Sequence, residues 1–588
     1  MRPINNNSEQ NLSWLEEEEN DYFHMEFEDN EQFSDAESRH SEHDTDTEQS
    51  EESGEAGEDD QGVEDNNKDT SNNYTQDGKR LLLGKDKKTI WYHNPPNHRV
   101  RTKKHNLVIR VPGPKGVAKE AKTILECWEL FFDNSMIEKI VNYTNIYLQK
   151  IASLYRGQRD STPTNVIEIR ALFGLLYFLG MRKAAHLNLK ELWATDGTAP
   201  DLYRAVMSYG RFCTLLSSLK LDDMNDRDER KKIDNLAAVR EFYEKFNTKC
   251  EENYVPGSCV TVEEMLESFR GRCKFRQYIR NKPTKYGIKI YSLVDSRTFY
   301  TVEMEIYAGK QPPGKYDVSN SAFDVVKRIT APILNTGRNV TFDNYFTSVP
   351  LLLDLLKNHR TTAVGTIRLN KREIPQDFLC VKNREICSSR FLFSDCSTLM
   401  SYVPKKSKNV LLISTLHNDA VIDKSTGDKK KPEILSFYNV TKGAVDTVDE
   451  MKSNYTVARE THRWPIVILY SFLNIAVINS HVIWKANTEV EKTTRDFIKE
   501  LSSQLFQPHL QTRMQMSNLS LDLRRIISKV GGIPVVTHER TSDGLCGYCP
   551  RRKNIKTKKS CSQCSVCICL KHTIFYCLNC QPGNNNLH

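Results

Sequence analysis

Val340-Thr341-Phe342-Asp343-Asn344-Tyr345-Phe346 reads as a short β-run that ends on an acid. Two other stretches share its logic. Ser258-Cys259-Val260-Thr261-Val262-Glu263-Glu264 is a second β-run ending on acids, and Gly443-Ala444-Val445-Asp446-Thr447-Val448-Asp449 sets two acids three apart where a helix begins, on one face of it. Further β-prone runs at Gly287–Val294 and Thr298–Ile306, with a helical stretch at Ser321–Ile329, make this an α/β core. Any single acid at a strand end or helix start is an ordinary cap. Several delivered by different elements can hold two Mg²⁺ ions, about 3.5–4 Å apart, around a phosphodiester.

Outward from this core the texture changes. From Ala118 to about Cys250 the pattern is helical: Ile124, Trp128, Phe131 and Phe132 recur at helical spacing, followed by amphipathic runs at Ile167–Met181 and Phe212–Leu219. Residues 376–436 are strand-like and Lys-rich and read as a β-rich insertion, after which helices return from Asp446 to about Ser528. The longest apolar stretch, Ile466–Trp484, holds Ser471, Asn474, Asn479, Ser480 and His481, so a buried helix is expected there and no membrane span.

Charge divides the chain sharply. Residues 1–65 hold 24 Asp/Glu against two Arg, whereas the rest holds 81 Lys/Arg against 52 Asp/Glu. An acidic, apolar-poor leader cannot bury enough surface to order itself, and a basic body suits nucleic acid. Residues 79–117 turn basic, with Lys85-Asp86-Lys87-Lys88 and Arg99-Val100-Arg101-Thr102-Lys103-Lys104, which read as a solvated arm, a nuclear import signal or a phosphate-binding strap. Met1–Asn20 has no apolar core, so no signal peptide is expected and the thiols should stay reduced.

Eight of the sixteen cysteines fall in the last 43 residues. Cys546-x2-Cys549, Cys561-x2-Cys564, Cys569-x2-His572 and Cys577-x2-Cys580 are four ligand pairs, each able to turn both members onto one tetrahedral zinc. Interleaved, cross-brace binding joins Cys546, Cys549, Cys569 and His572 in one site and Cys561, Cys564, Cys577 and Cys580 in the other; sequential binding is the alternative. The loop from Arg551 to Lys559, with Arg552, Lys553 and Lys556, is cationic enough for phosphate.

Taken in order, several segments resemble the piggyBac transposase family: Phe269-Arg270-Gly271-Arg272-Cys273, Asn281 to Lys289, Asp343 to Ser348, Val364-Gly365-Thr366, Asn370 to Pro375, Lys442 to Asp449, Arg463-Trp464-Pro465 and the zinc ligand spacing, over roughly 460 residues. The resemblance implies an RNase H-like catalytic core. Composition makes residues 1–117 a disordered leader, acidic then basic, and by the resemblance 118–253 and 458–536 form an all-helical dimerisation and DNA-binding domain. The core spans 254–375 and 437–457, interrupted by the β insertion 376–436, and 537–588 is the two-zinc module. It implies a nuclear homodimer acting on double-stranded DNA, with no small-molecule substrate. The expected chemistry is nicking at terminal inverted repeats, hairpin formation and joining to TTAA target. Glu263, Asp343, Asp446 and Asp449 take the catalytic positions, with Mg²⁺ or Mn²⁺ on the first three. Trp464 would stack on a distorted end nucleotide, and Arg368 and Lys371 would meet the DNA backbone. The chain departs from the family at Glu263, where the family has Asp. The extra methylene extends the carboxylate by about 1.5 Å. Two functional classes follow: an active transposase, and a DNA-binding protein derived from one.

Overall fold

The computed structural model describes residues 81–95, 108, 110–152, 161–280, 282–516, 519–534, 544–561 and 566–574. The acidic leader, the basic run Arg99–Lys104 and the ligands Cys564, Cys577 and Cys580 lie outside the described residues. Two compact units share the chain, one from residues 1–132 and 222–491, the other from 133–221 and 492–588.

The first unit is built on a mixed sheet, 11-stranded among the described residues. Eight of its strands are β1 (Cys259–Ser268), β2 (Tyr286–Asp295), β3 (Thr301–Ile306), β4 (Asn339–Phe342), β5 (Thr362–Thr366), β6 (Ser389–Phe393), β7 (Thr398–Tyr402) and β8 (Val410–Ser414), and the short Gln277–Tyr278 pairs with β2. β1, β2 and β3 form an antiparallel meander, with Glu263 opposite Ser292 and Glu264 opposite Tyr291. β4 runs parallel to both β1 and β5, with Val260 opposite Val340 and Val364 opposite Thr341. Parallel central strands must be covered on both faces, and all four residues of β4 are buried.

β1 continues six residues past Val262. Glu263 and Glu264 therefore sit inside the strand and do not end it, because the strand stays paired to β2 as far as Ser268 opposite Gly287 and buries Met265 and Leu266. The strands of the insertion do not stand apart. β8 pairs antiparallel with β5, β7 with β8, and β6 with β7, so they extend the same sheet. At its far edge Tyr92 pairs with Phe393, which adds the hairpin Leu81–Leu83/Ile90–Tyr92. Gly365 is required in β5, since a Cβ there would collide with Thr347 Oγ1 and the Phe342 carbonyl.

The helix Trp464–Thr488 is long and apolar enough to cross a membrane by length and composition, yet 89% of that apolar window is buried in the protein. Its polar residues explain the choice. Asn479 accepts from the Thr301 amide at 2.9 Å and donates to the Thr301 carbonyl at 2.9 Å. Ser471 donates to Glu267, Ser480 to the Cys127 carbonyl, and Asn474 accepts from the Val457 amide. Each satisfies a buried polar group that would otherwise be costly. The helix Arg240–Asn253 belongs to this unit too, with Phe246 stacked on Phe472 at 4.6 Å and Tyr243 donating to the Met304 carbonyl. Residues 222–253 thus fall in the compact unit that holds the sheet.

Outside the C-terminal module, the described residues of the second unit are mostly helical. Val166–Met181 and Thr494–Met514 approach so closely at Gly174 that a Cβ would lie 2.9 Å from the Ser502 carbonyl. Glu168 and Arg211 form a buried two-pronged pair at 2.6 and 2.8 Å, and Arg211 also donates to the Thr162 carbonyl. Such pairing satisfies the guanidinium where an isolated charge would be expensive.

Candidate active site

Strand parity explains how the acids meet. Residues two apart on a strand share a face, and Thr261 and Thr341 each stand two positions before an acid, Glu263 and Asp343. Both threonines are buried and both bond to Thr441, at the end of the helix Glu433–Lys442: Thr261 Oγ1 donates to the Thr441 carbonyl at 2.6 Å, and the Thr341 and Thr441 hydroxyls are 2.8 Å apart. One threonine thus ties β1, β4 and the helix pair together. Gly443 follows, and the helix Ala444–Asn454 begins with Asp446 in its first turn. That helix packs onto β1 through Val445, Val448 and Met265.

Lys282 lies among the acids, with Nζ 3.2 Å from Asp446 Oδ1 and 3.9 Å from Glu263 Oε1. Burial pushes the Glu263 carboxyl well above the usual carboxylate range, Asp446 and Asp343 push it further, and Lys282 opposes them. Burial works against the charge on Lys282, but Glu263 and Asp446 outweigh it and hold the ammonium above its ordinary value. Asp343 also accepts from the Tyr345 amide at 3.0 Å, and Thr347 Oγ1 donates to its carbonyl at 2.6 Å, so the turn after β4 is fixed. Asp449, one helical turn past Asp446, accepts from the buried Lys452 at 3.2 Å; Lys452 is also paired with Glu267, which accepts from Ser471. Burial raises the Asp449 carboxyl and Lys452 opposes the rise. Glu264 faces away from these acids, near Tyr291, and its Oε2 is buried with no hydrogen-bond partner.

The donor set is all carboxylate oxygen, and Asp446 and Asp343 raise the proton affinity of Glu263. That is the chemistry of a hard divalent cation site, and the residues fit such an ion.

Around this centre, Trp464 starts its helix with its indole edge-on to Phe275, ring centroids 5.1 Å apart. Arg368 Nε lies 3.4 Å from Asn344 Oδ1, beside Asp343, and Arg368, Asn370, Lys371, Arg372 and Glu373 line an open depression.

The C-terminal module folds on short pieces. Gly544–Leu545 pairs with Lys556–Thr557, and the exposed Arg551, Arg552, Lys553 and Lys556 lie in and beside the turn between them. Ligand atoms of Cys546, Cys549, Cys569 and His572 all lie within 4.8 Å of one another. The Cys549–Cys569 sulfurs are 3.8 Å apart, and His572 Nδ1 is 3.4–3.6 Å from the three sulfurs. A tetrahedral zinc with bonds of about 2.3 Å to sulfur and about 2.0–2.1 Å to nitrogen has edges of about 3.8 and about 3.6 Å. The first ligand pair is thus matched with the third, the interleaved arrangement. The Cys546 thiol is pushed down to about 6, chiefly by the Cys569 amide, as suits a metal-binding thiolate.

Lys282, Glu267, Lys452 and the three threonines were not singled out from sequence as site residues. Thr261 and Thr341 had a legible signal, since Thr-x-Glu and Thr-x-Asp recur at the same spacing in two β-runs; Thr441 had none. Lys282 had none, because it meets Glu263 and Asp446 only through the fold; Lys452 stands one helical turn past Asp449 but meets Glu267 only through the fold.

These features define a class. Residues 124–481 match the family model described as "Transposase IS4", and the class is that of a transposase. The chain is 35% identical, with a TM-score of 0.70, to the solved piggyBac transposase in a synaptic complex with hairpin DNA, over 80% of this chain and 100% of that one. It is also similar to human PiggyBac transposable element-derived protein 3, 22% identical over 470 residues, 77% of this chain and 76% of that protein. Human PiggyBac transposable element-derived protein 2 is 24% identical over 367 residues, 57% of each chain. The chain belongs to the piggyBac transposase family.

Proposed function

We propose that the chain cuts and joins double-stranded DNA at transposon ends, with Glu263, Asp343 and Asp446 as the metal-binding acids and Asp449 as their neighbour. The observation that carries this reading is the delivery of three acids to one place by β1, β4 and the helix Ala444–Asn454, tied together through Thr441. The order β3-β2-β1-β4-β5, antiparallel then parallel, supports an RNase H-like core. Glu263, Asp343 and Asp446 would hold Mg²⁺ or Mn²⁺, which when bound polarises a phosphoryl oxygen and activates water or a 3′-OH. The residues' own part is to orient. Glu267 and Lys452 hold Asp449, and the Tyr345 amide holds Asp343. Arg368 and Lys371 suit backbone phosphates, and the indole of Trp464 suits an unstacked base.

The solved relative is a complex with hairpin DNA, which supports terminal DNA as the substrate, with hairpin formation, TTAA joining and a nuclear homodimer as the family reading. Cys546, Cys549, Cys569 and His572 would hold one structural Zn²⁺, and Cys561 with Cys564, Cys577 and Cys580 a second. The cationic loop 551–559 would then meet phosphate. Excision of a reporter flanked by the element's own ends tests the reading. Wild type should restore the reporter and Asp446→Asn should reduce excision at least a hundredfold, on the order of what misplacing a reacting group costs. Equal excision by both would place the chemistry elsewhere.

A further inference from the structure

The segment around Lys85–Lys88, basic enough in sequence to pass for a solvated arm, folds back onto the loop that lines the depression. Its hairpin, Leu81–Leu83 with Ile90–Tyr92, is closed by Asp86, whose carboxylate accepts from the Lys88 and Thr89 amides at 3.0 Å each and from the Thr89 hydroxyl at 2.6 Å. Three donors then run from the hairpin to backbone carbonyls of the loop. Lys85 Nζ donates to Leu369 at 3.0 Å, the Asp86 amide to Arg372 at 2.9 Å, and the buried Trp91 indole N–H to Glu373 at 2.8 Å. Gly84 permits the approach, since a Cβ there would lie 2.7 Å from the Glu373 carbonyl. The loop's flanks, Ile367 and Ile374, are fully buried. With its carbonyls held by the hairpin and its ends held by the core, the loop keeps Arg368, Asn370, Lys371 and Arg372 around one depression that adjoins Asn344 and Asp343. The exposed Lys87 and Lys88 stand in the turn of the same hairpin.

We propose that the hairpin and the loop 368–373 form one composite phosphate-binding surface for duplex DNA. The hairpin braces the loop and adds Lys87 and Lys88 to its cations. The proposal rests on the reading of Arg368 and Lys371 as backbone contacts, given above. Phosphate contact through cations is read from salt dependence, because each neutralised phosphate contributes about 0.9 to the slope of log affinity against log salt on B-form DNA.

The experiment is a salt titration of the full chain on a duplex of the element's end. It compares wild type, Lys87→Ala with Lys88→Ala, and Arg368→Ala with Lys371→Ala. Amide exchange over residues 369–373 is measured in wild type, Trp91→Phe and Lys85→Met. Each double variant should lower the slope by about 1–2, and Trp91→Phe should speed exchange in 369–373 while β7 and β8 stay protected. Lys85→Met repeats the exchange test without touching the core. If the Lys87/Lys88 slope is unchanged while the Arg368/Lys371 slope falls, the hairpin's share is overturned and the loop reading stands. If neither slope changes, both are overturned. Unchanged exchange in both Trp91→Phe and Lys85→Met overturns the brace.

Discussion

Glu263 has its carboxylate one methylene further from the backbone than an Asp would, and the structure sets it inside β1 with Lys282 3.9 Å away. Glu keeps the charge and changes only the reach, so a substitution separates the two. Glu263→Asp should raise nicking of a cognate end in Mg²⁺ roughly tenfold or more, because misplacement of about 1 Å costs about a hundredfold. A slower Glu263→Asp enzyme would show that the strand has adjusted to Glu. At the same scale, Thr341→Val removes one hydroxyl of the threonine tie with little change of volume. It should cost about 1–3 kcal/mol of stability and lower nicking, with Thr341→Ser restoring both; thermal melts run beside the nicking assay check it. Glu303 makes a pH prediction. Burial, with Glu251 adding to it, pushes its carboxyl up to about 8 from 4.5. The folded state therefore holds a proton that the unfolded state releases, and the stability this group contributes is present below about 4.5 and lost as pH rises through about 8. Glu303→Gln should lose less melting temperature between about pH 5 and about pH 8.5 than wild type does, and an equal loss would discount Glu303 as the source.

Single strands and helices were largely legible as elements. Gly287–Val294 lies within β2, Ile167–Met181 within Val166–Met181, and the polar-flecked run Ile466–Trp484 is a buried helix. Partners were not legible, because pairing is set by contacts far apart in sequence. Nothing local says that the strands of residues 389–414 extend the sheet through β5, or that Tyr92 meets Phe393. The extent of β1 was underread because Glu263-Glu264 looks like an end, whereas the pairing of Leu266 with Lys289 carries the strand past it. Asn479 illustrates the other side: a polar residue in an apolar run marks a helix that must satisfy neighbours. Asn479→Leu would strand both the amide and the carbonyl of Thr301, so it should destabilise the protein by about 2–6 kcal/mol, from about 1–3 for each buried group left unpaired. Denaturant melts check this, and a change below about 1 kcal/mol would contradict the bonding described.

Across the molecule, the candidate active site draws acids from three elements and the cysteine ligands lie in a separate C-terminal module, and the sequence signalled the two differently. The module was legible from ligand spacing alone; the structure adds that its first and third pairs come together. Metal analysis of the full chain should find about two zinc equivalents, as four ligand pairs require, and Cys569→Ser should lose one of them. The acid site was legible as three stretches, but its tie through Thr441 and its cation at Lys282 depend on the fold. The most direct test of that site is cleavage of the element's own ends by the full chain in Mg²⁺ and in Mn²⁺, wild type against Asp343→Asn. The account predicts that wild type nicks in at least one metal and that Asp343→Asn nicks neither detectably, while binding the same duplex with unchanged affinity. Cleavage by Asp343→Asn at the wild-type rate would contradict it.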